Sequence, residues 1–413
     1  MKKKNFDVAI FGSGLTAKAM CLIAEHCGMS FVNIQGKQKE KKSEEKKSEE
    51  DVRSLALSSA SINMLKILGV EIEAQSVEKM IVFEGGVSEE KIKGKVIFNS
   101  EDLDDQIAFI SEYILIEKSL EGRLNLNEEN SIKESPKSIL VENNFSIINF
   151  NKSTSIKSKL NIFTERLDLN FQKIFQIKYE SVDYEQTAIT ATLEHSKDHK
   201  GYAYQFFLKN GPLALLPLRK RKTKNYSSLV WTENTFNAHE ILSSAKDLEK
   251  KLNDMCSIYL GKIKVSTQPI SFPLKKVICK TPRIHRNLFV GDAIRSMHPL
   301  AGQAWNQSLR DLAYIADALV ESKKLGIDIM TCPSMKSFEG KRQFEGNAFV
   351  EGISFINTIF KSESSLAKGL RRNLMKIFNK EGPLKSLLAN EASGGALERP
   401  SLLMNKPAGS KTI

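Results

Sequence analysis

The sequence predicts an α/β protein: a parallel-sheet domain, an antiparallel sheet inserted into it, and a C-terminal helical segment. Three observations lead there. The chain opens on an apolar run, a glycine turn and an amphipathic stretch. Near its other end a second apolar run, Asn287-Leu288-Phe289-Val290, hands over to Gly291-Asp292 and a long periodic helix. Between them, apolar segments at 205–207, 212–218 and 227–232 are punctuated by turn residues, as paired strands are. A chain of 413 residues, 41% hydrophobic and 27% charged, is too long for one ordinary core, so two or more domains are expected.

Residues 6–11, Phe-Asp-Val-Ala-Ile-Phe, read as a buried parallel strand. The basic Met1–Lys4 start resembles a signal peptide, but Asp7 breaks the apolar run and a glycine turn follows, so a first strand is the better reading. Gly12-Ser13-Gly14-Leu15-Thr16-Ala17 then opens a helix whose Leu15, Ala19, Leu22 and Ile23 recur at helical spacing, with Gly28 as its C-cap. Ser30–Gln35 reads as a second strand. Together these form a Rossmann-like dinucleotide-binding βαβ unit, with Ala17 in the place of the third glycine. Gly12 and Gly14 let the backbone approach a pyrophosphate, and the helix N-terminus faces that charge. The second strand ends on Gln35, where an acid commonly binds a ribose; glutamine keeps the hydrogen-bonding capacity without the charge. Residues 36–51 are nearly all polar or charged with mixed sign, the composition of a solvated loop. Arg53 follows, before Leu55-Ala56-Leu57. Its planar fork suits phosphate or hydroxyl oxygens, and a plain salt bridge is the alternative use.

At Gly291-Asp292 the same logic recurs. A strand ends, Asp292 is free to accept from sugar-like hydroxyls, and a helix opens near Gly302-Gln303-Ala304 with unsatisfied N–H groups toward any developing negative charge. Trp305, Leu309, Leu312, Ala316 and Leu319 mark its buried face. Lys323 and Lys324 sit in its last turn, and Gly326 ends it.

Composition excludes some classes. No apolar run approaches the roughly 18 residues of a spanning helix. The five cysteines, Cys21, Cys27, Cys256, Cys279 and Cys332, are odd in number and lack metal-ligand spacing, as in a reduced cytoplasmic protein with buried thiols. A net charge of +12 favours anionic partners, but the basic residues are dispersed and no nucleic-acid-binding motif is present.

The segment Gly291-Asp292-Ala293-Ile294-Arg295, then His298-Pro299-Leu300-Ala301-Gly302-Gln303 and Leu309-Arg310-Asp311, resembles the second flavin-contacting motif of the aromatic-ring flavoprotein monooxygenases of the para-hydroxybenzoate hydroxylase type. Within them it is most similar to the ubiquinone-biosynthesis hydroxylases. Gly211-Pro212-Leu213-Ala214-Leu215-Leu216-Pro217-Leu218 resembles another run of that family. Four positions differ: Arg295 stands where the family has His, Ala304 where it has Gly, Gln35 where it has an acid, and Glu165-Arg166 where it has Asp-Gly.

The resemblance implies FAD as cofactor, held by Gly12, Gly14, Ala17, Gln35, Arg53, Gly291, Asp292, Gly302, Gln303 and Ala304, with His298 and Pro299 as catalytic candidates beside the flavin ring. It implies ring hydroxylation of a polyprenylated phenol with dioxygen, through a flavin hydroperoxide. The electron donor stays open between NAD(P)H and a protein. It also implies a FAD-binding domain of residues 1–72, 98–178 and 276–330, a substrate domain of 73–97 and 179–275, a helical region at 331–395 and a loose tail at 396–413. Leu366, Leu370, Leu374, Ile377 and Phe378 interleave with Lys368, Arg371, Arg372, Lys376 and Lys380, the pattern of a basic amphipathic helix. With the basic hairpin 219–225, it offers a peripheral contact with the inner face of a membrane, or with a ubiquinone-biosynthesis complex; a helix packed on its own domain with a solvated basic face is the plainer reading. The competing reading is a non-catalytic scaffold with a flavin fold, which the four differences favour.

Overall fold

We analysed a computed structural model of the chain, which describes residues 4–36, 51–87, 92, 94–102, 105–151, 154–299, 302–362, 364 and 399–410. The first strand, Lys4–Phe11, lies at the centre of a mostly parallel sheet, between Phe31–Ile34 and Ser155–Phe163; Asn287–Phe289 continues it beyond the latter. Register fixes the geometry of everything above. Phe11 pairs with Phe163, and Phe163 with Phe289. Their rings stack at 4.2 and 5.4 Å between centroids. Three strands therefore end at one level, and the segments that follow them emerge side by side at the carboxyl edge, where open α/β sheets bind ligands.

Helices Leu15–His26 and Ala304–Leu325 cover one face. The apolar positions read from sequence are all buried: Leu15, Ala19, Leu22 and Ile23 on the first, Trp305, Leu309, Leu312, Ala316 and Leu319 on the second. Gly28 closes the first helix by donating to Glu25, and Gly326 closes the second in the left-handed conformation.

The second sheet runs in the order Arg295–Ser296, Ile270–Cys279, Tyr179–His195, Lys224–Asn234, Pro212–Arg221, Tyr202–Phe207, Lys79–Glu84, Gly94–Asn99. Helix Ala245–Leu260 buries Leu248, Leu252, Cys256 and Leu260 against it, a spacing of four that keeps them on one stripe. The edge strand Arg295–Ser296 belongs to the segment after Asp292 and pairs with Val277–Ile278. One loop thus joins both sheets. All five cysteines are buried and free.

Two expectations need correction. Residues 399–410, expected within a loose tail, are docked on the parallel domain. Leu402 and Leu403 enter its core, and Asp317 accepts from the N–H of Ser401 (2.9 Å) and of Gly409 (2.7 Å). Two apolar side chains and a buried carboxylate acceptor outweigh the loop-like composition. The basic hairpin also differs. Arg219 pairs with Glu73, Lys220 with Asp198, Arg221 with Glu112 and Lys224 with Glu194, so four of its five cations are paired within the chain, and Lys222 at the tip is exposed. The 366–380 interval and residues 37–50 lie outside the described residues.

Candidate functional site

The glycine turn is built for close approach. Gly12 has φ +137°, and a Cβ there would stand 2.2 Å from Thr164 Oγ1, so any side chain is excluded. Thr164 ties the neighbouring strand end to it, donating from both N and Oγ1 to the Phe11 carbonyl at 3.0 and 2.9 Å. The helix behind the turn has no side-chain N-cap. The N–H groups of the turn just ahead of it are taken by Glu165, whose Oε1 accepts from Ser13 N at 2.6 Å, Gly14 N at 3.0 Å and Ser13 Oγ at 3.2 Å.

The Gly291-Asp292 segment lies directly against this turn. Gly291 has φ +58°, and a Cβ on it would meet Thr16 Cγ2 at 3.2 Å and Ser308 Oγ at 3.3 Å. Residues 12–17 and 291–292 are therefore adjacent across the strand ends. Asp292 is exposed as a residue, but protein packed around its carboxyl partly desolvates it. That desolvation, with the neighbouring Glu165 carboxylate, raises its carboxyl above the usual range, against the pull of Arg166 and Arg53. So Arg53, Glu165, Arg166 and Asp292 share one basin.

Strand Ser54–Leu57 closes the basin's side. A Cβ at Gly302 would lie 3.0 Å from that of Ala56. Asn306 locks this contact: its Oδ1 accepts from Ser58 N at 3.1 Å, and its Nδ2 donates to Ala56 O and Gln303 Oε1, each at 2.9 Å. Arg53 is half exposed, pairs with Asp51 and lies 4.3 Å from the Tyr113 ring centroid. Both uses read for it are compatible: a local ion pair holds a guanidinium that still faces the basin. Gln35 donates from Nε2 to Asn33 Oδ1 at 2.9 Å, and Asn33 in turn donates to Gly12 O at 2.9 Å, so the end of the second strand is coupled to the glycine turn. Ala17 is buried in the helix core and Ala304 exposed at the start of its helix.

His298 is 1% exposed and packs edge-on against Tyr184, 5.3 Å between centroids. Burial pushes its pKa down to about 4, so the ring is neutral near pH 7. Tyr184 shares a 2.6 Å hydrogen bond with Ser354 of helix Pro333–Lys361. Pro299 is half-buried, and its carbonyl accepts from Gly302 N at 3.0 Å. Behind this loop lies a buried charge cluster. Asp311 accepts from Arg342 Nε at 2.8 Å and lies 3.5 Å from Arg295 Nη2; Arg342 also reaches Gln307 and Glu345. Sequence reasoning missed Arg342, a cation in an amphipathic stretch with no local signal of burial. It also missed Asn306 and the lodging of Glu165.

The arrangement fits a dinucleotide. The turn that a Cβ would fill, the uncapped helix start, the acceptor at Asp292 and the guanidinium of Arg53 are of the types that pyrophosphate and ribityl groups need. FAD held there would lie against Ser13, Gly14, Gln35, Arg53, Asp292 and the Gly302–Ala304 turn.

Comparison with known proteins agrees. A family model described as FAD binding domain matches residues 159–324. The chain is 26% identical to the ubiquinone hydroxylase UbiL of Rhodospirillum rubrum over 398 residues, covering 94% of this chain and 89% of that one. It is 22% identical to the 3-demethoxyubiquinol 3-hydroxylase of Escherichia coli, covering 95% and 100%. Among solved structures, p-nitrophenol 4-monooxygenase PnpA of Pseudomonas putida aligns with a TM-score of 0.71 at 13% identity, over 96% of this chain and 100% of that one. HpxO of Klebsiella pneumoniae, solved with FAD and uric acid, aligns at 0.68 and 10% identity, over 97% of each. In sequence the chain is thus similar to ubiquinone-biosynthesis hydroxylases along nearly its whole length, and it carries a match to the FAD binding domain over residues 159–324.

Proposed function

We propose that the protein hydroxylates the aromatic ring of a polyprenylated phenol in ubiquinone biosynthesis, using FAD and dioxygen. The observation that carries this reading is the register Phe11–Phe163–Phe289, which brings the glycine turn, Thr164–Arg166 and Gly291–Asp292 into one basin. Bound there, FAD supplies the activation of dioxygen that side chains cannot. The chain's own residues do the rest. Ser13 and Gly14 N–H groups receive the pyrophosphate, and Arg53 offsets its charge. Asp292 accepts from hydroxyls. The N-terminal end of helix Ala304–Leu325 favours negative charge beside it. His298 and Pro299 form the ring-side wall; His298, buried and neutral, supports that wall and keeps water out. The reducing equivalents come from NAD(P)H or a protein donor.

In this reading residues 1–72, 98–178 and 276–330 form the FAD-binding domain, and 73–97 and 179–275 cover the substrate. A membrane contact that admits the prenyl chain rests mainly on the basic sequence at 366–380, because four of the hairpin's five cations are paired internally. No helix among the described residues is long and apolar enough to cross a membrane. The non-catalytic alternative draws no support from the two sequence relatives named above, both hydroxylases.

The test is direct. Purified protein should carry or take up yellow flavin, and with a reductant should insert one labelled oxygen atom from dioxygen into a short-chain prenylphenol. A colourless preparation that cannot be reconstituted, or a product without label, rejects the reading. Growth rescue of strains lacking each single ring hydroxylase identifies the carbon oxidised.

A further inference from the structure

We infer that Glu165 is an internal occupant of the pyrophosphate position, and that its displacement sets how tightly this chain holds FAD. The inference rests on the flavin reading above. Its Oε1 takes two successive backbone N–H donors and one hydroxyl, at 2.6, 3.0 and 3.2 Å. Those are the donors that an anion at a glycine-rich helix start requires. A carboxylate and a pyrophosphate cannot share them: both are anionic, and the donors point at one place.

The side chain is placed there by its neighbour. Thr164 is pinned to the Phe11 carbonyl by two hydrogen bonds, which fixes the Glu165 backbone beside the turn. From that fixed root, the length of glutamate lets the carboxylate bridge Ser13 and Gly14. The side chain is also solvent-exposed, so it can rotate into water without stranding a charge in the interior. The contact is therefore strong enough to hold the turn in shape before FAD arrives and weak enough to be displaced. Arg166, next in sequence, and Arg53 leave two cations at the basin for the entering phosphates.

Removing the internal anion should favour the external one. Apo protein is titrated with FAD, following the quenching of flavin fluorescence, and melted with and without FAD. E165A should bind FAD on the order of tenfold more tightly than the unaltered chain, the scale of one displaced charge-assisted contact. E165Q, which keeps the shape but loses the charge, should fall between them. E165A should also lower the melting temperature of the FAD-free protein while enlarging the shift on adding FAD. If E165A is too unstable to purify, E165Q and E165D are judged by the same ordering, since aspartate keeps the charge on a side chain one methylene shorter. Equal or weaker FAD binding in the variants overturns the inference while leaving the flavin reading intact. No FAD binding by the unaltered chain overturns both.

Discussion

Gly346 lies so close to the guanidinium of Arg295 that a Cβ on it would stand 1.7 Å from Nη1 and 2.3 Å from Cζ. A glycine in a helix usually weakens it, and replacement by alanine is usually favourable. Here the sign reverses. Arg295 is 5% exposed and has Asp311 on its far side, so it has little room to withdraw. G346A should destabilise the protein by about 1–3 kcal/mol, the range for overpacking. Gly340 and Gly352 lie on the same helix, and a methyl group added to either would have nothing within 4 Å. G340A and G352A should be neutral or stabilise by about 0.5–1 kcal/mol. Urea denaturation of the three variants checks the contrast.

Asp311 bridges Arg295 and Arg342, and all three are buried. Arg342 keeps Glu345 and Gln307 when Asp311 is neutralised, but Arg295 has no second ion pair among the described residues. D311N should therefore cost about 3–5 kcal/mol, as loss of one partner of a buried pair does. Replacing Arg295 by methionine in the same protein should recover part of that loss. An additive double variant in denaturant unfolding would separate the two residues energetically.

Much of this molecule was legible in its sequence. Leu15, Ala19, Leu22 and Ile23 announced the first helix, and Trp305 to Leu319 the long one, because one-sided burial imposes a period of 3.6. The glycine turn and Gly291-Asp292 were legible because few residues other than glycine fit their conformations. What was hidden is what depends on distant partners. Asp317 gives no sign that it will hold Ser401 and Gly409. The run Arg219–Lys224 reads as a free basic patch until Glu73, Asp198, Glu112 and Glu194 are brought to it by strand pairing. Glu165 reads as a mismatch to a motif, and only the register that sets Thr164 beside Gly12 turns it toward the helix start.

Asp292 couples stability to binding. Desolvation raises its carboxyl pKa, so the folded state binds its proton more readily than the unfolded chain. By linkage the FAD-free protein gains stability as pH falls through the folded value, and carries an unfavourable charge at neutral pH. D292N removes that charge. The variant should be more stable than the unaltered protein at pH 7, with the difference vanishing in acid, and should bind FAD on the order of tenfold more weakly through loss of a charged acceptor. Thermal melts across pH, together with FAD titrations, check both halves.

His298 works in the opposite direction on the pH axis. Burial takes its pKa from 6.5 to about 4. A depressed folded value means that its neutral form contributes stability above the unfolded pKa, which is lost as pH falls from about 6.5 toward 4. The full linked change is about 3 kcal/mol. H298N cannot titrate, so its stability should be flatter across that window, although loss of the ring's packing on Tyr184 lowers it at every pH. The same depression has a consequence for turnover: a neutral His298 gives no inflection in rate between pH 6 and 8. A rate profile with a break near 6.5 that H298N abolishes would instead show an imidazole exchanging protons with solvent, which its position beneath Tyr184 does not permit.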